Sequence, residues 1–248
     1  MPSSSYDLDI LAIAAHRDDV EQTCGGTLLK AAQRGQHTGI LDLTQGEMGT
    51  RGTADDRARE AADAAKILGA SWRRALDIPD GHVENTRENR LKVASVIRET
   101  RPRVVILPYW KGRHPDHYTC SVLGYEACFL AGLAKLTLTG GQKPEPLAPH
   151  RPFKIIYATL YYDVRPTFVV DVSAQFEQKF ASILAYKSQF SDQEAGKDLF
   201  PAHNEIRARV DAMARYYGML GGVTYGEPFL QKEIGLVEDL LAIPVKSI

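Results

Sequence analysis

Cysteine is scarce in this 248-residue chain. Cys24, Cys120 and Cys128 form an odd set with no CxxC spacing, which excludes a disulfide framework. A reducing compartment follows, so the cytoplasm is the expected location. Long apolar runs are missing, and the opening MPSSSYDLDI lacks the basic and apolar parts of a signal peptide. No membrane span or exported leader is therefore expected. Charge of one sign is missing too: 30 Lys and Arg face 31 Asp and Glu, for a net charge of -1. Nothing in that balance points to nucleic acid. Neither GxGxxG nor GxxxxGK occurs, so Gly25-Gly26 reads as close packing of helix and strand rather than a phosphate cradle. Repeats and low-complexity tracts are absent. What remains is an ordinary globular composition, 44% hydrophobic and 25% charged, enough for a sizeable core.

Strand and helix signals alternate along the chain. Residues 7–15 (DLDILAIAA) form a nearly continuous apolar run, as in a strand covered on both faces. A helix is expected over 26–34, a strand over 37–43, and the clearest helix over 54–68. Thr53 and Asp56 can build a capping box there, and Gly69 can close the end. A short strand over 71–76, a helix over 87–100, a buried strand over 104–107 and a helix over 117–133 follow. Residues 140–152 hold four prolines and read as a linker. Strands over 154–162 and 168–171 and helices over 173–186 and 206–217 complete the pattern. The expected fold is α/β and Rossmann-like, a mostly parallel sheet with helices on both faces. It forms one domain over 1–248, with a strand-helix extension from about 150.

Two segments concentrate metal-ligand side chains. His16-Arg17-Asp18-Asp19 follows the first strand, and His114-Pro115-Asp116-His117 follows the VVIL strand. Open α/β sheets place their sites at such strand ends. His16, Asp19 and His117 can supply three ligands, leaving a fourth position for water as in catalytic zinc sites. Asp18, Asp116 and His114 are then spare, and amide hydrolysis needs spare groups: a base for water, an oxyanion partner and an acid for the leaving amine. Each motif alone has a bland reading, as helix caps for Asp18 and Asp19 or a polar turn for HPDH. Two of them, each behind a strand, fit that reading poorly. Tyr109 and Trp110 can equally stack on a sugar ring or serve the structure. Glu47, Met48 and Arg51 lie where they can shape a pocket.

AAHRDDVEQTCGGTLLK resembles the AHPDD(E/V)xxxGGT motif of the LmbE-like, or PIG-L-like, N-acetylglucosamine deacetylases, and RHPDH resembles that family's second motif. Within the family the chain looks closest to the bacillithiol-biosynthesis deacetylases, which act on N-acetylglucosaminyl-malate. DLTQGEMGTRGTADDRAREAADAAKILGA, PYWKGRHPDH, FVVDVSAQFEQK and AYKSQF carry that likeness. The resemblance implies a Rossmann-like fold with one catalytic zinc ion, Zn2+, held by His16, Asp19 and His117; Fe2+ could fill the same ligands. It implies Asp18 as general base, His114 as oxyanion stabiliser, and Asp116 orienting His114 and favouring its charged form. It implies Arg57 and Arg113 as contacts to the substrate's carboxylates. The implied partner is a small acetylated amino sugar, and the implied assembly is a homo-oligomer, a trimer or hexamer. Arg17 departs from the family's proline and leaves that loop freer. The alternatives are a deacetylase of another N-acetylglucosamine conjugate, inositol-linked or a chito-oligosaccharide, and a metal-binding module without catalysis.

Overall fold

Alternation of side chains along the strands divides the core in two. The computed structural model describes residues 7–140, 143–160, 162–191 and 203–245. Strand β1 (Ile10–Ala14) leads into α1 (Asp19–Gln33), β2 (Thr38–Asp42), α2 (Ala54–Leu68), β3 (Trp72–Ala75), α3 (Arg87–Thr100), β4 (Val104–Pro108) and α4 (Pro115–Ala131). The rest comprises β5 (Thr139–Gly140), β6 (Lys143–Pro146), β7 (Lys154–Ala158), β8 (Phe168–Asp171), α5 (Phe176–Leu184), α6 (Lys187–Phe190), α7 (His203–Gly221) and β9 (Gly226–Leu230). Leu11 and Ile13 of β1 point to one face, into a cluster with Val93 and Ile97 of α3 and Leu123 and Ala127 of α4. Ala12 and Ala14 point to the other, against Val20, Leu28 and Leu29 of α1. Helices therefore cover both faces of one sheet, ordered β3-β2-β1-β4-β7-β9-β8. The first five of these strands are parallel, and β9 runs antiparallel to both of its neighbours.

Helices with local caps begin and end where the sequence marks them. Thr53 and Asp56 form the capping box of α2, and Gly69 closes it at φ 66°. Three expectations are corrected. Part of the proline-rich linker is a two-stranded antiparallel ladder, β5 with β6; its residues 141–142, like 161 in an expected strand, lie outside the described residues. Strand β9 carries no clear signal in the sequence and was not expected. And α1 begins at Asp19, seven residues before the expected start, because two helical pieces meet at Cys24, whose φ of -136° is not helical.

The second piece of α1 starts on a side chain from β9. The buried Glu227 carboxylate accepts from Gly26 N at 2.8 Å, Thr27 N at 2.7 Å and Thr27 Oγ1 at 2.6 Å. Lys179 Nζ donates to the same carboxylate at 2.6 Å. Two amides at a helix start are thus satisfied from the far end of the chain. A Cβ on Gly26 would stand 2.9 Å from Glu227 Oε1 and 3.0 Å from Val172 Cβ, so close packing is what that glycine permits. Gly26→Ala gains helix propensity of about 1 kcal/mol. Overpacking and a displaced carboxylate oppose it, and a net loss of about 1–3 kcal/mol is expected in urea unfolding. A more stable variant would show that the tether tolerates a side chain.

Candidate active site

The two histidine-aspartate motifs meet because β1 and β4 are neighbours. Ile10, Leu11 and Ala12 pair in parallel with Val104, Val105 and Ile106. From β1 the chain winds one way through β2 and β3, and from β4 the other way to β7. Such a reversal opens a crevice at the carboxyl ends of the two strands. His16 stands just beyond β1, and His114 caps the helix that follows β4.

Three side chains close a triangle there. His16 Nδ1 lies 3.2 Å from His117 Nε2, His117 Nε2 lies 3.2 Å from Asp19 Oδ1, and His16 Nδ1 lies 3.4 Å from Asp19 Oδ2. Ligands about 2.0–2.1 Å from a tetrahedral centre stand roughly 3.3 Å apart; the two imidazole nitrogens meet that spacing, and Asp19 turns one oxygen to each of them, a set of donors that suits a small divalent ion. The other edge of His16 fixes its tautomer. Nε2 faces Asp80 Oδ1 at 3.1 Å and Asp116 Oδ2 at 3.2 Å, which directs the Nδ1 lone pair into the triangle. Burial opposes charge on His16, yet the Asp116, Asp19 and Asp80 carboxylates push its pKa up to about 12. His117 is raised as well, burial being overridden by Asp19. The cluster calls for a cation, and a metal ion can meet that demand.

Two further groupings of possible ligands share His16: His16 with His114 and His117, and His16 with Asp80 and Asp116. The second is committed elsewhere. Asp116 accepts from Gly81 N at 2.8 Å and Val83 N at 3.2 Å, and Asp80 accepts from Met48 N at 3.0 Å. Backbone amides thus hold both carboxylates behind His16, as they hold partners of metal-ligating histidines.

Asp18 sits at the rim of the triangle with a backbone φ of 104°, a region non-glycine residues seldom occupy. It is the N-cap of α1, yet its carboxylate makes no capping bond. Arg57 Nη2 donates to Asp18 Oδ1 at 3.1 Å, and Gln22 Nε2 to Oδ2 at 3.3 Å. Burial raises the Asp18 pKa to about 7 against the pull of Arg57. The αL backbone turns the carboxylate off its own helix and toward Arg57 and Gln22. Arg57 is buried and also donates to the Arg17 carbonyl, and Gly46, at φ 72°, lets the loop after β2 lie against its guanidinium. Arg17, which replaces the family's proline, turns away from the triangle and donates to Ala54 O at 2.7 Å.

His114 is exposed beside the triangle, its ring stacked on His117 at 4.9 Å. Its Nδ1 accepts the Asp116 amide at 3.2 Å, which leaves Nε2 to carry the proton. The Asp116 carboxylate faces His16, so it does not orient His114 as the sequence led us to expect. Nor is His114 favoured in its charged form: burial, then the charges of His16 and His117, hold its pKa below the usual histidine value. Arg113 is exposed on the loop before His114.

The adjoining cleft is lined by Asp19, Thr23, Cys24, Tyr109, Lys111 and His117 among others. Tyr109 faces it, whereas Trp110 packs edge-on against Tyr157 at 4.8 Å. Glu47 accepts the Asp80 amide at 2.8 Å, while Arg51 turns away to Gln189 O at 3.2 Å. Sequence reading passed over Asp80. Its only signal was a carboxylate in the turn after β3, at the same end of the sheet as the two motifs.

Residues 11–128 match the family model PIG-L: GlcNAc-PI de-N-acetylase. A diacetylchitobiose deacetylase of Thermococcus kodakarensis is 32% identical over 229 residues, covering 88% of this chain and 80% of that protein. A 1D-myo-inositol 2-acetamido-2-deoxy-alpha-D-glucopyranoside deacetylase of Kineococcus radiotolerans is 25% identical, across 86% of this chain and 78% of its own length. Among solved structures, a conserved protein from Thermus thermophilus superposes with a TM-score of 0.82 at 41% identity, covering 93% of this chain and 98% of that one. No helix among the described residues is long and apolar enough to cross a membrane. With the motifs converged at the switch point and relatives of this identity along most of its length, the chain belongs to the PIG-L (GlcNAc-PI de-N-acetylase) family and is a deacetylase, an enzyme of amide hydrolysis.

Proposed function

We propose that the protein removes the N-acetyl group of an N-acetylglucosamine conjugate with the help of one zinc ion held by His16, Asp19 and His117. The observation that carries this reading is the meeting of His16, Asp19 and His117, whose facing atoms lie 3.2–3.4 Å apart with one Asp19 oxygen toward each histidine, two residues from the Asp18–Arg57 pair. A divalent metal in such a site supplies Lewis-acid polarisation and a more acidic water. Asp18 takes the proton of the attacking water and passes one to the leaving amine, for which its raised pKa suits it. His114, with Nε2 protonated, donates to the oxyanion. Asp80 and Asp116 keep His16 in the tautomer that offers Nδ1. Fe2+ suits the same ligands, and metal analysis of the purified protein distinguishes the two.

The conjugate partner is proposed to be neutral, a second amino sugar or an inositol, in line with the names of the two curated relatives. The malate conjugate expected from the sequence finds less support, because Arg57 is engaged with Asp18 and the Arg17 carbonyl. A panel of diacetylchitobiose, inositol-linked N-acetylglucosamine, N-acetylglucosaminyl-malate and plain N-acetylglucosamine tests this by acetate release. Arg57→Ala is expected to lower kcat/KM about ten- to a hundredfold on every member alike, the scale of a lost charge-assisted bond. A loss confined to the malate conjugate would restore the acidic-substrate reading. No acetate from any member, with metal bound, would remove the deacetylase reading of these substrates.

A further inference from the structure

Helix α7 turns one apolar face toward a hollow. Val210, Met213, Ala214 and Tyr217 recur at the spacing of a single helix face. Ala214 and Tyr217 are buried, Val210 is half-buried, and Met213 is 36% exposed, so the face opens toward solvent at Met213. All four line the hollow, and Gln22 and Thr23 of α1 line it from across. Pro228 of β9 and Leu160, just beyond β7, add apolar wall, while Thr159 and Arg209 add polar groups. Apolar walls with a few polar groups are the usual make-up of a small-molecule site.

The hollow adjoins the catalytic cleft. Thr23 and Leu160 line both. Gln22 donates through Nε2 to Asp18 Oδ2 at 3.3 Å. Four residues of helix rise about 6 Å, so the wall of the hollow starts close to one turn from the proposed base. Charges in the wall are matched. Lys179 Nζ lies 2.6 Å from Glu227 Oε1, both side chains being buried, and Arg209 donates to Glu205 Oε1 at 2.6 and 3.1 Å. An anion entering here would meet cations already paired, whereas a neutral ligand disturbs neither pair.

We propose that this hollow holds the group attached to the acetylated sugar, and that the group is a neutral hydroxylated ring, a role that rests on the deacetylase reading of the neighbouring cleft. The C–H face of the ring packs on Val210, Met213 and Pro228, and its hydroxyls meet Gln22 and Arg209. Met213, the most exposed residue of the apolar face, sets which rings enter.

Labelling and selectivity test it. All three native cysteines are buried, so Met213→Cys supplies one accessible thiol. With Asp18→Asn added to keep the conjugate uncleaved, diacetylchitobiose or inositol-linked N-acetylglucosamine at saturation should protect that thiol from a maleimide. Plain N-acetylglucosamine, which lacks the second ring, should not. Protection by one of the two conjugates alone supports the subsite and names its ring. Met213→Trp fills the hollow in the otherwise native enzyme. The ratio of kcat/KM for the preferred conjugate to that for plain N-acetylglucosamine should fall about tenfold or more, as the contacts of a buried ring are lost. A merely structural change would lower both values and leave the ratio. No protection by either conjugate, or an unchanged ratio, overturns the proposal while acetate release keeps the deacetylase reading. Protection by N-acetylglucosaminyl-malate alone also overturns it, since the occupant would then be acidic. Protection by a neutral conjugate with no acetate released by the parent keeps the subsite and removes the reaction.

Discussion

His117→Ala is expected to lose most bound metal and to lower turnover by about three powers of ten or more. His117 Nε2 supplies one corner of the triangle, 3.2 Å from both His16 Nδ1 and Asp19 Oδ1. Without it two of the proposed ligands remain, one imidazole and one carboxylate, too few for a closed set of three around a catalytic ion. Lewis-acid polarisation is worth several kcal/mol, and each 1.36 kcal/mol is about tenfold in rate, which sets the size of the loss. Metal content after dialysis and acetate release are the two readouts. His114→Ala is the control for metal content alone, expected to keep the ion while losing rate, because His114 bonds through Nδ1 to the Asp116 amide and stands outside the triangle. Stoichiometric metal in His117→Ala, or its loss in Asp80→Asn with His117→Ala still loaded, would move the ion to the other side of His16.

Asp18→Asn should keep the metal and lose about two to four powers of ten in rate, the usual scale of a lost general base. The substitution is chosen for the backbone. Asp18 holds φ 104°, and asparagine is among the few residues that tolerate positive φ, so the turn should survive. The amide oxygen can still accept from Arg57, and its NH2 can donate to Gln22 once that side chain turns its oxygen inward, but the group cannot take a proton from water at neutral pH. Unchanged metal content and a thermal midpoint near the parent's would separate chemistry from folding. A rate within a few-fold of the parent would take Asp18 out of this role.

Parts of the molecule with local causes were legible in the sequence. The bounds of α2 and α3 could be read because Thr53, Asp56 and Thr86 cap within three residues of themselves. The buried strands could be read from their apolar runs, while the meeting of the two motifs needed the structure, which makes β1 and β4 neighbours. What stayed hidden depends on distant partners. The first turns of α1 lack a side-chain cap and begin on a residue of positive φ, so they carry no start signal. Strand β9 (GEPFL) contains a proline and pairs with strands far back in the chain. Asp80 gains meaning only when folding brings it to His16. Arg57 was legible as a cation near the pocket, but its contact with Asp18 needed the fold.

The grip of Glu227 on Gly26 and Thr27 has a bearing on how the protein is born. The two ends of that contact lie 201 and 200 residues apart. At a translation rate of about 5–20 residues per second, the ribosome delivers Glu227 roughly ten to forty seconds after Gly26. For that interval the helix that follows the first histidine-aspartate motif has an unfinished second start. The family match, which ends at residue 128, spans both motifs but leaves out this clasp. A nascent chain can therefore hold all three proposed ligands outside the exit tunnel and still lack the strand that steadies the helix behind them. Completion of the site is timed by the last strand of the sheet, so a stalled or clipped chain is left with the ligands and without their support.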